Sequence, residues 1–198
     1  MITAIVLAAG ISKRFGQPKQ LLDFNGKPLI RHVVEVILST RVSRVVVVLG
    51  GSFEKVAEVL CDLPVQLIYN ENYLEGQSTS VIKGIQALDE TDLSEGILFA
   101  LGDQPLLKAE TIDFLIENFN NKGGITVPVY KGSQGNPVIF SSRYIPALNK
   151  LCGDIGARNL IRQNSDDVSW VKVQDEGVLL DIDTSEDYER LKRVVEKS

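Results

Sequence analysis

Two cysteines and one histidine are all that the 198 residues hold, and neither cysteine has a partner at CxxC spacing. Cys61 and Cys152 therefore suggest no zinc site and no disulfide framework, and buried or inert thiols are the expectation. His32 stands alone within a helical pattern without a nearby Cys or His, so a packing or solvent-edge role is expected rather than metal binding. Long apolar runs are missing as well: none approaches the roughly 20 residues of a membrane span. The N-terminus has no basic segment leading into a long apolar stretch and a cleavage site, so no membrane partner is expected and the compartment should be the cytoplasm. A formal net charge of -5 and a pI near 5.0, with no basic cluster beyond one loop, argue against nucleic acid as the main partner. Repeats, low-complexity segments and linkers are absent too. What remains is 44% hydrophobic and 24% charged, the composition of an ordinary globular chain with enough length for one sizeable core. A single domain over 1–198 is expected.

The stretch Ile5 to Leu22, IVLAAGISKRFGQPKQLL, is the one around which the rest can be arranged. Ile5-Val6-Leu7 reads as a buried strand. Ala8, Ala9 and Gly10 then bring three small residues to its end, where bulkier side chains would keep a ligand away from the backbone amides. From Gly10 to Lys19 the loop carries Lys13, Arg14 and Lys19 and no acidic residue. Amides at a strand-to-helix turn with cations around them suit a polyphosphate; a basic surface turn is the plainer alternative. Two familiar phosphate loops do not fit. For GxxxxGK[ST] the second glycine falls one place late, at Gly16, and Gln17 stands where Lys is needed. GxGxxG would require glycine where Ser12 sits, which removes the main support for a nicotinamide or flavin reading.

The same residues resemble the signature LAAGxSxRMGxxKxLL of the MobA-like nucleotidyltransferases, and within them the molybdenum cofactor cytidylyltransferase branch. Phe15 replaces the usual Met, one apolar side chain for another. The resemblance implies that the loop, Leu7, Ala8, Ala9, Gly10 and Ser12 included, wraps a nucleoside triphosphate while Arg14 and Lys19 hold its phosphates. It extends over most of the chain, from Ile5 to about Leu191.

Further along, Asn25 to Pro28 reads as a turn, and Leu29, Val33, Val36 and Ile37 recur at helical spacing. Val45 to Leu49 is an uninterrupted β-branched run of the kind covered on both faces. Residues 53 to 61 return to helical spacing, and Val65 to Tyr69 give another strand. The order β-α-β-α-β calls for a parallel sheet with right-handed crossovers. The polar segment Asn70 to Ser80 leads into a helix with Val81, Ile85 and Leu88. Its hydroxyls could be helix caps; by resemblance, Asn70, Gly76, Ser78 and Ser80 line the nucleoside. Ile97 to Leu101 is a buried strand ending in Gly102-Asp103-Gln104-Pro105. In open parallel sheets ligands sit beyond the carboxyl ends of strands, so Asp103 should face the same crevice as the first loop. By resemblance it binds magnesium and Gln104 faces the acceptor.

A helix over 108 to 121, a break at Gly123-Gly124 and a hairpin near 125 to 140 follow. Gly135-Asn136-Pro137-Val138 resembles the family segment that receives a pterin phosphate, which implies acceptor binding by Asn136. LCGDIGAR resembles the family's LxGDxGAR and implies the same for Asp154 and Arg158, although Gly153-Asp154 could simply end one helix and cap the next. Near the C-terminus, Thr184 and Asp187 fit a capping box. Asp181 and Asp183 alternate with Leu180 and Ile182 and read as a strand ending. Asp183 is preferred over Asp181 as the second magnesium ligand because, in related transferases, the residue before the Thr of D-T-x-E-D approaches the metal.

The expected fold is a three-layer α/β/α, Rossmann-like and mostly parallel sheet of the nucleotide-diphospho-sugar transferase type. The resemblance implies a Mg2+-dependent transfer of a nucleoside monophosphate, CMP from CTP before GTP, onto a molybdopterin-type acceptor, with a client molybdoenzyme downstream. A sugar- or alditol-phosphate nucleotidyltransferase, and a non-catalytic cofactor carrier, are the alternatives.

Overall fold

The computed structural model describes residues 1–10, 15–88, 94–153 and 157–195. The first strand, β1 (Ile2–Ala8), is followed by a small hairpin of β2 (Asp23–Phe24) and β3 (Lys27–Pro28), then α1 (Leu29–Leu38), β4 (Arg44–Leu49), α2 (Phe53–Glu58), β5 (Gln66–Tyr69) and α3 (Gln77–Gln86). The second half runs β6 (Gly96–Leu101), α4 (Ala109–Lys122), β7 (Ile125–Tyr130), β8 (Ser133–Gln134), β9 (Val138–Ser141), α5 (Ile145–Leu148), α6 (Arg158–Gln163), β10 (Val168–Lys172) and α7 (Ser185–Val195). Across the main sheet the order is β5-β4-β1-β6-β9-β7-β10, with β8 paired to β7. Only β9 on that path runs against its neighbours, pairing antiparallel with both β6 and β7.

The alternation of side chains along each strand explains the layers. In β1, Ala4, Val6 and Ala8 face one way, with Val47 and Leu49 of β4 and Leu98 and Ala100 of β6, and are covered by α1 and α4. Ile5 faces the other way with Val46, Val48, Ile97 and Phe99, under α3, α5 and α6. Both faces are therefore apolar, as a sheet between two helical layers requires. Its expected core run from Val45 to Leu49 is at most 1% exposed at every position.

Several local expectations shift by a turn or change kind. Helix α3 begins at Gln77, so Ser78 and Ser80 lie in its first turn rather than in a segment leading to it. The 178–183 stretch is no strand: a short 3-10 turn over Glu176–Val178 gives way to chain without sheet partners. Thr184 and Asp187 do form the reciprocal cap of α7, the Asp187 amide donating to the Thr184 hydroxyl (3.2 Å) and the Thr184 amide to the Asp187 carboxylate (2.8 Å). Both cysteines are free and exposed, which removes the buried half of the buried-or-inert expectation; each lies in a loop past a helix end. Among the described residues no helix is long and apolar enough to cross a membrane.

Candidate active site

Because β1, β4, β5 and β6 are parallel, their carboxyl ends and the loops that follow share one edge of the sheet. A cavity of about 450 Å³ opens there. Leu7, Ala8, Ala9 and Gly10 line it from the end of β1, Gly76 and Ser80 from the start of α3, and Asp103 from beyond β6. Lys19, Arg158, Asp181 and Asp183 complete its charged lining.

Lys19 stands in a short 3-10 turn, Lys19–Leu21, and its side chain is only 14% exposed. The ammonium donates to Asp103 Oδ2 at 2.6 Å, to Asp183 Oδ1 at 2.9 Å and to the Ile182 carbonyl at 3.0 Å. Burial pulls its pKa down, but the Asp103 and Asp183 carboxylates outweigh this and hold it above the ordinary lysine value. For Asp103, burial is the largest influence and raises the carboxyl; Lys19 offsets part of this, while Asp181 and Asp183 add repulsion. Asp103 Oδ1 is buried with no hydrogen-bond partner among the described residues. A buried carboxylate oxygen left without a partner is costly unless something else meets it.

Asp183 reaches this point without a strand beneath it because the 176–183 segment is tied down on several sides. The Ile182 amide donates to the Asp103 carbonyl (3.1 Å) and the Asn136 amide to the Val178 carbonyl (2.9 Å). Asp175, 5% exposed, accepts from the amides of Lys108 and Gly177 and from the Thr111 hydroxyl. One buried carboxylate thus joins the start of α4 to the turn that leads to Asp181 and Asp183.

Not every expected residue meets the cavity. Asn70 is 1% exposed and works inside its own segment: its amide donates to the hydroxyls of Thr79 and Ser80, both at 2.9 Å, and its carbonyl accepts the Asn72 amide. Ser78, also 1% exposed, does not line it. Gln104 is 3% exposed and does not line the cavity; its amide donates to the Val178 carbonyl (3.3 Å), which helps to secure the 176–183 turn. Asn136 lines a neighbouring cavity of about 130 Å³ whose walls are mostly apolar, and Arg158, Leu7, Gln77 and Leu101 border both spaces. Ser12, Arg14 and Asp154 lie outside the described residues.

The structure adds residues that the sequence reading passed over. Gln20, 5% exposed, donates to the carbonyls of Ala8 and Gly10 at 2.9 and 3.1 Å and fixes the path of the strand-end loop. Tyr73, Leu74 and Gln77 also line the cavity. The signal for Tyr73 was present: an aromatic ring inside a polar run from 70 to 80. His32 packs its ring on Phe24 (4.6 Å between centroids) and pairs with the Pro105 carbonyl (3.1 Å), the packing role expected of it.

Comparison with known proteins gives a consistent picture. The MobA-like NTP transferase domain matches residues 4–168. A Paenarthrobacter nicotinovorans protein named nicotine blue oxidoreductase is 31% identical over 96% of both chains. The purine catabolism protein PucB of Bacillus subtilis is 30% identical over 98% of this chain and 97% of its own. The Escherichia coli molybdenum cofactor cytidylyltransferase is 29% identical over 94% and 93%. Among solved structures, Rv0371c from Mycobacterium tuberculosis superposes with a TM-score of 0.86 at 30% identity over 96% of both chains. A manganese complex of that protein gives 0.82 at 28% over 96% and 97%. A nucleotidyl transferase from Methanothermobacter gives 0.83 at 25% over 100% and 99%. The fold is that of the nucleotide-diphospho-sugar transferase type, as the sequence led one to expect.

Proposed function

The chain belongs to the MobA-like NTP transferase family and is a nucleotidyltransferase, and from that premise we propose that it moves CMP from CTP onto the phosphate of a molybdopterin-type acceptor. In this reaction an acceptor phosphate oxygen forms a bond to the α-phosphorus, and the bond from that phosphorus to the pyrophosphate oxygen breaks. The observation that carries the reading is the placement of Lys19 between Asp103 and Asp183, in one cavity with the Leu7-Ala8-Ala9-Gly10 strand end. A cation and two carboxylates beside backbone amides suit a triphosphate and its counter-ion. Positioning and charge neutralisation supply most of what such transfers need.

The residues fit a divalent ion: two carboxylates already share one cation, and Asp103 Oδ1 is buried without a hydrogen-bond partner among the described residues. Magnesium takes one or two carboxylates and keeps waters and phosphate oxygens as its remaining ligands. Asp103 and Asp183 would hold it, and it would neutralise phosphate charge. The manganese complex of the Mycobacterium protein supports a divalent cation in this fold. Lys19 then serves the phosphates, with Arg14 assigned the same task by resemblance. Arg158, which borders both cavities, is assigned the acceptor phosphate by resemblance, and Asn136 with its largely apolar neighbours is assigned the edge of the acceptor's flat heterocycle.

CTP is preferred to GTP on the ground of Ala9, whose methyl group stands where glycine would let a larger ring lie against the backbone; the name of the Escherichia coli relative supports the same base. The oxidoreductase name of the Paenarthrobacter relative finds no counterpart in the loop, which lacks the GxGxxG spacing. The comparison of kcat/KM for CTP and GTP with one acceptor, read as pyrophosphate release, tests the base. A preference for GTP would overturn the choice of CTP and leave the transferase reading intact.

A further inference from the structure

Charge is unevenly spread over the lining of the main cavity. Lys19 pairs with Asp103 and Asp183, Asp181 repels Asp103, and Arg158 borders the neighbouring cavity as well, whereas the 73–80 segment contributes only uncharged groups, and Tyr73 is the sole aromatic among the described lining residues. A nucleoside triphosphate likewise carries charge on its phosphates and a flat uncharged base. Phosphates placed at Lys19 leave the base to the wall that carries Tyr73.

That ring is held from two directions. It lies against the backbone of Gly50 and Gly51, just past β4. A Cβ at Gly50 would stand 2.9 Å from Tyr73 Cγ and 2.4 Å from the Ala9 carbonyl oxygen, and one at Gly51 would stand 2.6 Å from the Tyr73 hydroxyl. The glycine pair is what allows the ring to close beside the β1 loop, since any side chain at Gly50 would push either the ring or Ala9 away. From its own segment, Tyr73 is secured by the Asn70 clip, which accepts the Asn72 amide at 3.0 Å and binds the hydroxyls of Thr79 and Ser80. A preorganised aromatic face loses little freedom when a base stacks on it.

We propose that Tyr73 is a specificity-determining residue: its ring, seated on Gly50-Gly51, forms the stacking wall of the base subsite and limits the size of the base that enters. This rests on the nucleotidyltransferase reading. Stacking of one base on one aromatic ring accounts for about five- to hundredfold in affinity.

The test uses the full chain and three probes: CTP, GTP and inorganic tripolyphosphate, which has no base. Tyr73→Ala should weaken CTP about tenfold or more, lower the CTP-to-GTP preference by a similar factor, and leave tripolyphosphate at the wild-type value. Tyr73→Phe, which keeps the ring, should match wild type, and Gly51→Ala should move CTP but not tripolyphosphate. An unchanged CTP-to-GTP ratio in Tyr73→Ala, with wild-type turnover intact, overturns the role of Tyr73 alone. Tripolyphosphate weakened as much as CTP would also overturn it, because the ring would then be supporting the whole cavity. A wild-type chain that bound no nucleoside triphosphate would overturn the transferase reading and this proposal together.

Discussion

Replacing Lys19 by methionine removes the ammonium while keeping most of the stem, and the structure sets the size of the effect. Among the described residues the amine is the one partner of Asp103 Oδ2, at 2.6 Å, and that side chain is 19% exposed. Breaking a fully buried ion pair from one side costs about 3–5 kcal/mol. The partial exposure of Asp103 trims this, and the pair with Asp183, which is 57% exposed, adds only about 0–1 kcal/mol. A net loss of about 2–3 kcal/mol follows, or about 4–12 °C in Tm for a chain of this size. The three acceptors of Lys19 among the described residues are what make a loop cation matter for stability. Two controls separate charge from packing. Millimolar magnesium or manganese should raise the Tm of the variant more than that of wild type, because the two carboxylates still face one another. Lys19→Met with Asp103→Asn should recover most of the lost stability, since no buried charge is then left behind. Turnover in both should be lower by about a hundredfold or more, the usual consequence of removing one preorganised donor. Differential scanning fluorimetry with and without metal reads the first effect, and pyrophosphate release the second. Wild-type Tm and turnover in Lys19→Met would refute the reasoning outright.

Other outcomes follow from the same geometry. Asn at position 103 or 183 should raise the metal concentration needed for half-maximal turnover, whereas Asp181→Asn should have less effect; if the 181 variant alone lost metal dependence, Asp183 would be the wrong choice. Burial holds the pKa of His32 below the ordinary value of 6.5, and the Pro105 carbonyl offsets only part of this. The unfolded chain therefore binds the proton more readily, and stability should be fully present above about 6.5 and fall as the pH drops below it. Urea melts across pH 7 to 5 check this, and His32→Gln should flatten the dependence. Asp175→Ala strips three donors of their acceptor in a buried place and should cost about 3 kcal/mol or more. Metal affinity should weaken with it, because the turn leading to Asp181 and Asp183 loosens.

Much of the fold was legible because its signals were local. The β-branched run at 45–49 and the helical spacing of Leu29 to Ile37 each announce burial on a recognisable period, and both elements stand where the pattern put them. The carboxyl-end placement of Asp103 followed from the parallel order alone. The 178–183 stretch misled for a physical reason: alternation of Asp181, Ile182 and Asp183 looks like a strand, yet the alternation arises from a chain pinned by Asp103, Gln104 and Asn136, contacts made across more than forty residues. Asn70 and Gln104 were expected at a ligand, and the structure shows the hydrogen bonds that they make to the chain itself. A polar side chain that binds a ligand and one that binds its own backbone carry the same letter, and only the packing tells them apart. Gln20 went unread for the same reason.

The most direct test of the central claim follows the α-phosphorus. The chain is incubated with magnesium, a molybdopterin-type acceptor and CTP labelled at the α-phosphate, and the products are separated. The label should pass to the acceptor in a new diphosphate linkage, with one unlabelled pyrophosphate released for each transfer and neither product formed when the acceptor is left out. Labelled CTP recovered intact, with the acceptor bound but unmodified, would show a carrier rather than a transferase and would contradict the claim.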